Sequence, residues 1–191
     1  MTGPALLLVD LQRGFHADGW GPRNNPDAED RARRLLDAWR GAEWPVAHVR
    51  HDSTEPDSPL RRGAPGFAFL DGFGPESGQT PHRNPEAAFT KRVNGAFRET
   101  GLDGWLGTLG VDRVVVAGLT TDHCVSTTVR GAENLGYDTL LARDATATHD
   151  REFDGEVIPA SEAHHTALAH LDGEFATVTT VANVIERFEL G

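Results

Sequence analysis

Short apolar runs alternate along this chain with amphipathic stretches of a different period. Ala5 to Val9 is apolar at every position and stops at Asp10, as a strand buried on both faces would. Pro26 to Ala42 carries Ala28, Ala32, Leu35, Leu36 and Trp39 near a 3.6-residue spacing, which predicts a helix. Pro45 to Val49 predicts the second strand. Arg50 to Gln79 is rich in Gly, Pro, Ser and charge, and a connection of that length points to function. Ala87 to Phe89 predicts a short strand with Lys91 just beyond it, Leu102 to Leu109 a short helix, and Asp112 to Ala117 the central strand. A helix over Cys124 to Leu135 stops before Gly136. Thr139 to Ala142 predicts a strand ending at Arg143-Asp144. Ser161 to Leu171 predicts a helix with Ser161 as its N-cap. Phe175 to Thr179 reads as a last strand and Val181 to Phe188 as a terminal helix.

Strands alternating with helices predict an α/β fold, a three-layer α-β-α sandwich with a mainly parallel, Rossmann-like sheet, in a single domain over residues 1–191. In such folds ligands bind beyond the carboxyl ends of the strands. Asp10, Lys91, Cys124 and Asp144 fall at or just after predicted strand ends, so they are expected to share one rim.

Composition narrows the function classes. With 38% apolar and 25% charged residues the chain suits a globular fold, and no run approaches the ~20 apolar residues of a membrane span. The run Ala5 to Val9 is too short, and lacks the basic flank, for a signal peptide. Together with a single cysteine this predicts a cytoplasmic protein. A formal charge of −11 argues against a nucleic-acid partner.

Cys124, the one cysteine, cannot form an internal disulfide. Its predicted place at a helix N-terminus, where free N–H groups carry partial positive charge, favours a thiolate. Alone it reads more often as inert packing than as a nucleophile, and Lys91 alone as a surface charge. A cysteine nucleophile needs a proton acceptor and a group to stabilise an oxyanion. Asp10 supplies the acceptor, Lys91 offsets the like-charge repulsion, and the turn Leu119-Thr120-Thr121-Asp122-His123 can aim backbone N–H groups at a carbonyl oxygen.

Three segments, Val9-Asp10-Leu11-Gln12-Arg13-Gly14-Phe15, Lys91-Arg92-Val93-Asn94-Gly95-Ala96-Phe97 and Gly118-Leu119-Thr120-Thr121-Asp122-His123-Cys124-Val125, together resemble the isochorismatase-like cysteine hydrolases. That superfamily includes nicotinamidases, N-carbamoylsarcosine amidohydrolases, ureidoacrylate hydrolases and isochorismatases. The resemblance continues through Thr127 to Tyr137 and Asp144-Ala145, in order, over nearly the whole chain. It implies an Asp10–Lys91–Cys124 triad, with Asp10 as general base and later proton donor, and Cys124 forming an acyl-enzyme. It also implies a cis peptide between Leu119 and Thr120, an oxyanion hole from the N–H groups of Thr120 and Cys124, and a homodimer or homotetramer.

The chain departs from the nicotinamidase pattern, in which an Asp-x-His pair and another histidine bind a divalent metal. Here the segment is His48-Val49-Arg50-His51-Asp52-Ser53, and the next histidine is His82. Adjacent residues on an extended segment point to opposite sides, so His51 and Asp52 are poorly placed to share a metal. No metal and no cofactor is expected, and the partner is a small-molecule substrate: a small amide, ureido or related C–N compound. The alternatives are isochorismatase-type hydrolysis of a vinyl ether, which needs no thiol nucleophile, and a non-catalytic thiol sensor on the same scaffold. Phe15 and Trp20 are candidates to wall the pocket, or else core aromatics. His51 is a candidate to orient a polar group of the substrate, or else a structural histidine. Phe67, Phe69 and Phe73 suggest a subunit contact or a lid. Arg61-Arg62 reads as solvated, His164, His165 and His170 as surface residues, and His149 has no assigned role.

Overall fold

The computed structural model describes residues 3–76 and 85–190; His82 lies outside them. Its elements follow the predicted alternation. They are β1 (Ala5–Val9), α1 (Ala28–Gly41), β2 (Val46–His51), β3 (Glu86–Lys91), α2 (Leu102–Thr108), β4 (Arg113–Leu119) and α3 (Ser126–Asn134). After these come β5 (Asp138–Ala147), β6 (Arg151–Phe153), β7 (Glu156–Ile158), α4 (Ala160–Ala169), β8 (Thr177–Thr179) and α5 (Val181–Arg187). The main sheet has the order β3-β2-β1-β4-β5-β8, parallel at every pair.

The period of two within each strand builds two cores. Leu6 and Leu8, with Val115, Ala117, Leu140 and Ala142, face Leu35, Leu36 and Trp39 of α1 and Val181 and Val184 of α5. Leu7 and Val9, with Val114, Val116 and Leu141, face Leu102 and Leu106 of α2, Val129 and Ala132 of α3 and Leu168 of α4. Both faces of β1 are therefore covered, which is why its five residues are all apolar. The result is the expected three-layer α-β-α sandwich.

Four expectations are corrected. Asp144 is not on the rim, because a register shift between Val116 and Gly118 lets β5 run on to Ala147. Asp144 instead pairs with Arg31 at 3.0 Å and accepts from the N–H of Val181 at 2.8 Å. Ser161 is not an N-cap: α4 starts at Ala160, whose N–H is taken by Asp150 Oδ1 at 2.7 Å. Cys124 is not the first residue of an α-helix but lies in a π-helical turn, Thr121–Val125, ahead of α3. His164 is buried on the inner side of α4, with Nδ1 2.8 Å from Thr121 Oγ1.

The hairpin β6–β7 was not foreseen, since strands of three residues are too short to carry a periodic signal. The long connection after β2 folds back on the first strand's exit. Leu70 N–H bonds Leu11 O at 2.9 Å and Arg13 N–H bonds Ala68 O at 2.9 Å. Its aromatics carry guanidinium groups from the same chain on their faces. The Arg50 guanidinium lies 4.3 Å from the Phe67 ring centroid and 5.2 Å from that of Phe69, and Arg33 lies 4.0 Å from that of Phe73.

Candidate active site

The strand order β3-β2-β1-β4 sets four chain exits side by side. Asp10 is the first residue beyond β1, with a left-handed backbone (φ 53°) that aspartate tolerates better than most residues. Lys91 and His51 close β3 and β2 as register partners. Cys124 sits in the turn after β4, and the Leu119–Thr120 peptide at the start of that turn is cis.

Lys91 is the hub. Its Nζ donates to Asp10 Oδ2 at 2.7 Å, contacts Cys124 Sγ at 3.2 Å and lies 3.3 Å from His51 Nδ1. An ammonium has no lone pair, so His51 Nδ1 accepts, and the proton of the neutral ring is on Nε2. Burial, then the Lys91 charge, pushes the His51 pKa down, which keeps the ring neutral. Burial would lower the Lys91 pKa, but the Asp10 carboxylate, with Cys124, outweighs it and holds the ammonium. Burial pushes the Cys124 thiol up to about 12; Asp10 pushes the same way and Lys91 only partly offsets it. The expected thiolate is thus overturned, since the thiol is almost enclosed beside a carboxylate and is not at an α-helix N-terminus. Asp10 Oδ1 is buried with no hydrogen-bond partner among the described residues, so it has a lone pair to receive a proton.

His51 joins this cluster; the contacts described for Phe15 and Trp20 are with other residues. Phe15 belongs to the core on the α1 side, its ring centroid 5.0 Å from that of Trp20, which is 5.7 Å from that of His149. Together with Arg23 they wall a hollow of about 490 Å³ whose lining includes none of Asp10, Lys91 and Cys124.

Several contributing residues escaped the sequence reading. Gln12 is fully buried; its Oε1 accepts from His51 N–H at 2.7 Å and its Nε2 donates to the carbonyls of His51 and Phe67, both at 3.1 Å. It ties the long connection to the end of β2. Its place two residues after Asp10, within the segment Val9 to Phe15, was the available signal. Asn94 Oδ1 lies 3.7 Å from Cys124 Sγ at the exposed side of the cluster. Asp122 of the turn is gripped by Arg151 and Thr148, which no spacing in the sequence brings together.

The residues in the position of a nicotinamidase metal site do not suit a cation. His51 Nδ1 already faces an ammonium, and Asp52 accepts from Arg62 N–H at 2.8 Å and lies 3.4 Å from the Arg92 guanidinium. Among the described residues no group of three His, Cys, Asp or Glu is placed to hold a metal.

Residues 4–183 match the isochorismatase domain. The chain belongs to the isochorismatase family. Its members are hydrolases, and this protein is a hydrolase; amidases acting on C–N bonds are among its relatives. It is 38% identical over 185 residues to the uncharacterised isochorismatase family protein YrdC of Bacillus subtilis, covering 96% of this chain and 95% of that one. Nicotinamidase 3 of Arabidopsis thaliana is 30% identical over 154 residues, covering 78% and 75%. A crystal structure of an isochorismatase-family protein from Chromobacterium violaceum superposes with a TM-score of 0.89 at 41% identity, covering 97% of this chain and 93% of that one.

Proposed function

We propose that this family member hydrolyses a small amide, ureido or related C–N bond through an acyl-enzyme on Cys124. One observation carries the reading. A buried thiol, a buried carboxylate with an unpartnered oxygen and a buried ammonium are in contact at the carboxyl edge of the sheet. In the resting site the proton is on sulfur. As Sγ attacks the carbonyl carbon, that proton passes to Asp10, and the N–H groups of Thr120 and Cys124 receive the developing oxyanion. Asp10 then protonates the leaving nitrogen, and water, deprotonated by Asp10, releases the acid and restores the thiol. Lys91 stays charged throughout and stabilises whichever of Asp10 and Cys124 bears the negative charge. His51, set between Lys91 and the Val93 backbone, is the side chain best placed to orient a polar group of the substrate.

The thiol environment favours this over a sensor, which needs an accessible, low-pKa thiolate. Kinship to a nicotinamidase supports C–N hydrolysis without requiring its metal. The test is turnover of a panel of small amides and ureido acids by wild type, Cys124→Ser and Cys124→Ala. Loss of all turnover in both variants is expected. Amide turnover that survives in Cys124→Ala would overturn the acyl-enzyme, and turnover of a vinyl ether that Cys124→Ala keeps and Asp10→Asn loses would support vinyl-ether chemistry.

The free thiol of Cys124 is consistent with a reducing compartment, so we place the protein in the cytoplasm, acting on a small molecule as a homodimer or homotetramer. Light scattering behind size exclusion distinguishes these from a monomer.

A further inference from the structure

The turn that carries Cys124 is held from outside by an element with no part in the triad. Arg151, the first residue of β6, reaches Asp122 with both arms of its guanidinium, Nε to Oδ2 at 2.6 Å and Nη2 to Oδ1 at 3.0 Å. The same Nη2 lies 2.9 Å from Thr148 Oγ1 and 3.4 Å from Thr120 Oγ1, and Thr148 Oγ1 donates to Asp122 Oδ1 at 2.6 Å. One guanidinium thus touches three residues at the mouth of β4 and β5. Its base is anchored independently: Asp150 N–H bonds Pro22 O at 3.0 Å, and Asp150 Oδ1 receives the first N–H of α4. Within the turn, His123 N–H and Val125 N–H share the carbonyl of Thr120, and Ser126 N–H bonds the carbonyls of Thr121 and His123.

Asp122 stands between Thr120 and Cys124, whose N–H groups face the oxyanion in the reading above. A bare carboxylate there opposes negative charge developing on the substrate. Its charge is permanent: hydrogen bonds from Arg151 and Thr148 overcome burial and lower its pKa to about 2.

We infer that Arg151 is a positioning residue for catalysis, which fixes the oxyanion turn through Asp122 and Thr120 and cancels the Asp122 charge beside the oxyanion. The inference rests on Cys124 being the nucleophile. Arg151 touches no reacting atom.

The test compares two reactions of the same sulfur. p-Nitrophenyl acetate acylates it: the S–C bond forms, the thiol proton goes to Asp10, p-nitrophenolate leaves, and the carbonyl oxygen passes through an oxyanion. Iodoacetamide alkylates it by direct displacement of iodide, with no oxyanion. Arg151→Ala is expected to slow acylation by about 10–100-fold, the range for a weakened oxyanion hole, and to leave alkylation within about twofold. Arg151→Lys, which keeps the charge but not the fork, falls between. Adding Asp122→Asn to Arg151→Ala removes the uncompensated charge and restores several-fold of the lost acylation. That double variant leaves no unpaired carboxylate, so with Arg151→Lys it carries the test if Arg151→Ala does not fold. Parallel loss of acylation and alkylation, unchanged acylation, or no recovery in the double variant overturns the role given to Arg151. A wild-type protein that acquires no acetyl group on Cys124, read by peptide mass, overturns the nucleophile reading itself, and this role with it.

Discussion

Three groups lie around one ammonium at the heart of the site, and this dictates what each can do. Lys91 and Asp10 are both shielded from water, so neither charge is tolerable without the other. Lys91→Ala should lower unfolding stability by about 3–5 kcal/mol as well as abolish turnover, because it strands a buried carboxylate. Urea denaturation measures the first effect independently of any substrate. Cys124 makes a second prediction. With its thiol pushed up to about 12, the rate of alkylation by iodoacetamide should keep rising through pH 10, with no inflection near the ordinary value of about 8.5. A plateau by pH 9 would mean that the resting site holds a thiolate. At this scale the triad was legible, because its three residue types fall within family motifs. The thiol's protonation was not, because it depends on how deeply the turn is enclosed. His164 was misread for the same reason: only the packing of α4 against the Cys124 turn buries it.

Elements position the site through two junctions. Gly118 pairs with Val9 one residue before Asp10, with φ 126°, and a Cβ there would overlap the Val9 carbonyl. Gly118→Ala should cost at least ~2 kcal/mol and pull Asp10 away from the Cys124 turn, so thermal stability and p-nitrophenyl acetate acylation fall together. The second junction is at the free edge of β3. Glu86 is held by Arg40 of α1 at 2.8 Å and by His48 of β2 at 3.0 Å. Burial opposes its charge, yet hydrogen bonds from His48 and Arg40 bring its pKa down to about 2. A depressed carboxylate stabilises the fold above its unfolded pKa of about 4.5 and loses that contribution as pH falls toward 2. Glu86→Gln should therefore be less stable than wild type at pH 6, and the difference in urea midpoint should shrink by pH 3. A constant difference would show that the glutamate charge does not matter. Element types and order were readable from periodicity alone. The π-helical turn, the extension of β5 and the hairpin β6–β7 were not, because each arises from pairing between segments distant in the chain.

On the scale of the whole molecule, β1, β2, β4 and β5 carry apolar residues toward two helix layers, and the candidate site collects where four neighbouring strands end. The amino-acid sequence by itself determined the α/β alternation and the family, and pointed to Asp10, Lys91 and Cys124 as residues that would meet, because these are written in local period and contiguous motifs. Tertiary structure alone decided that His51 lies against Lys91, that burial pushes the Cys124 thiol's pKa up, that Trp20 packs between Phe15 and His149, and that Arg151 grips the turn bearing Cys124. Each of these depends on distances between residues tens of positions apart and on the exclusion of water, neither of which exists before the layers close.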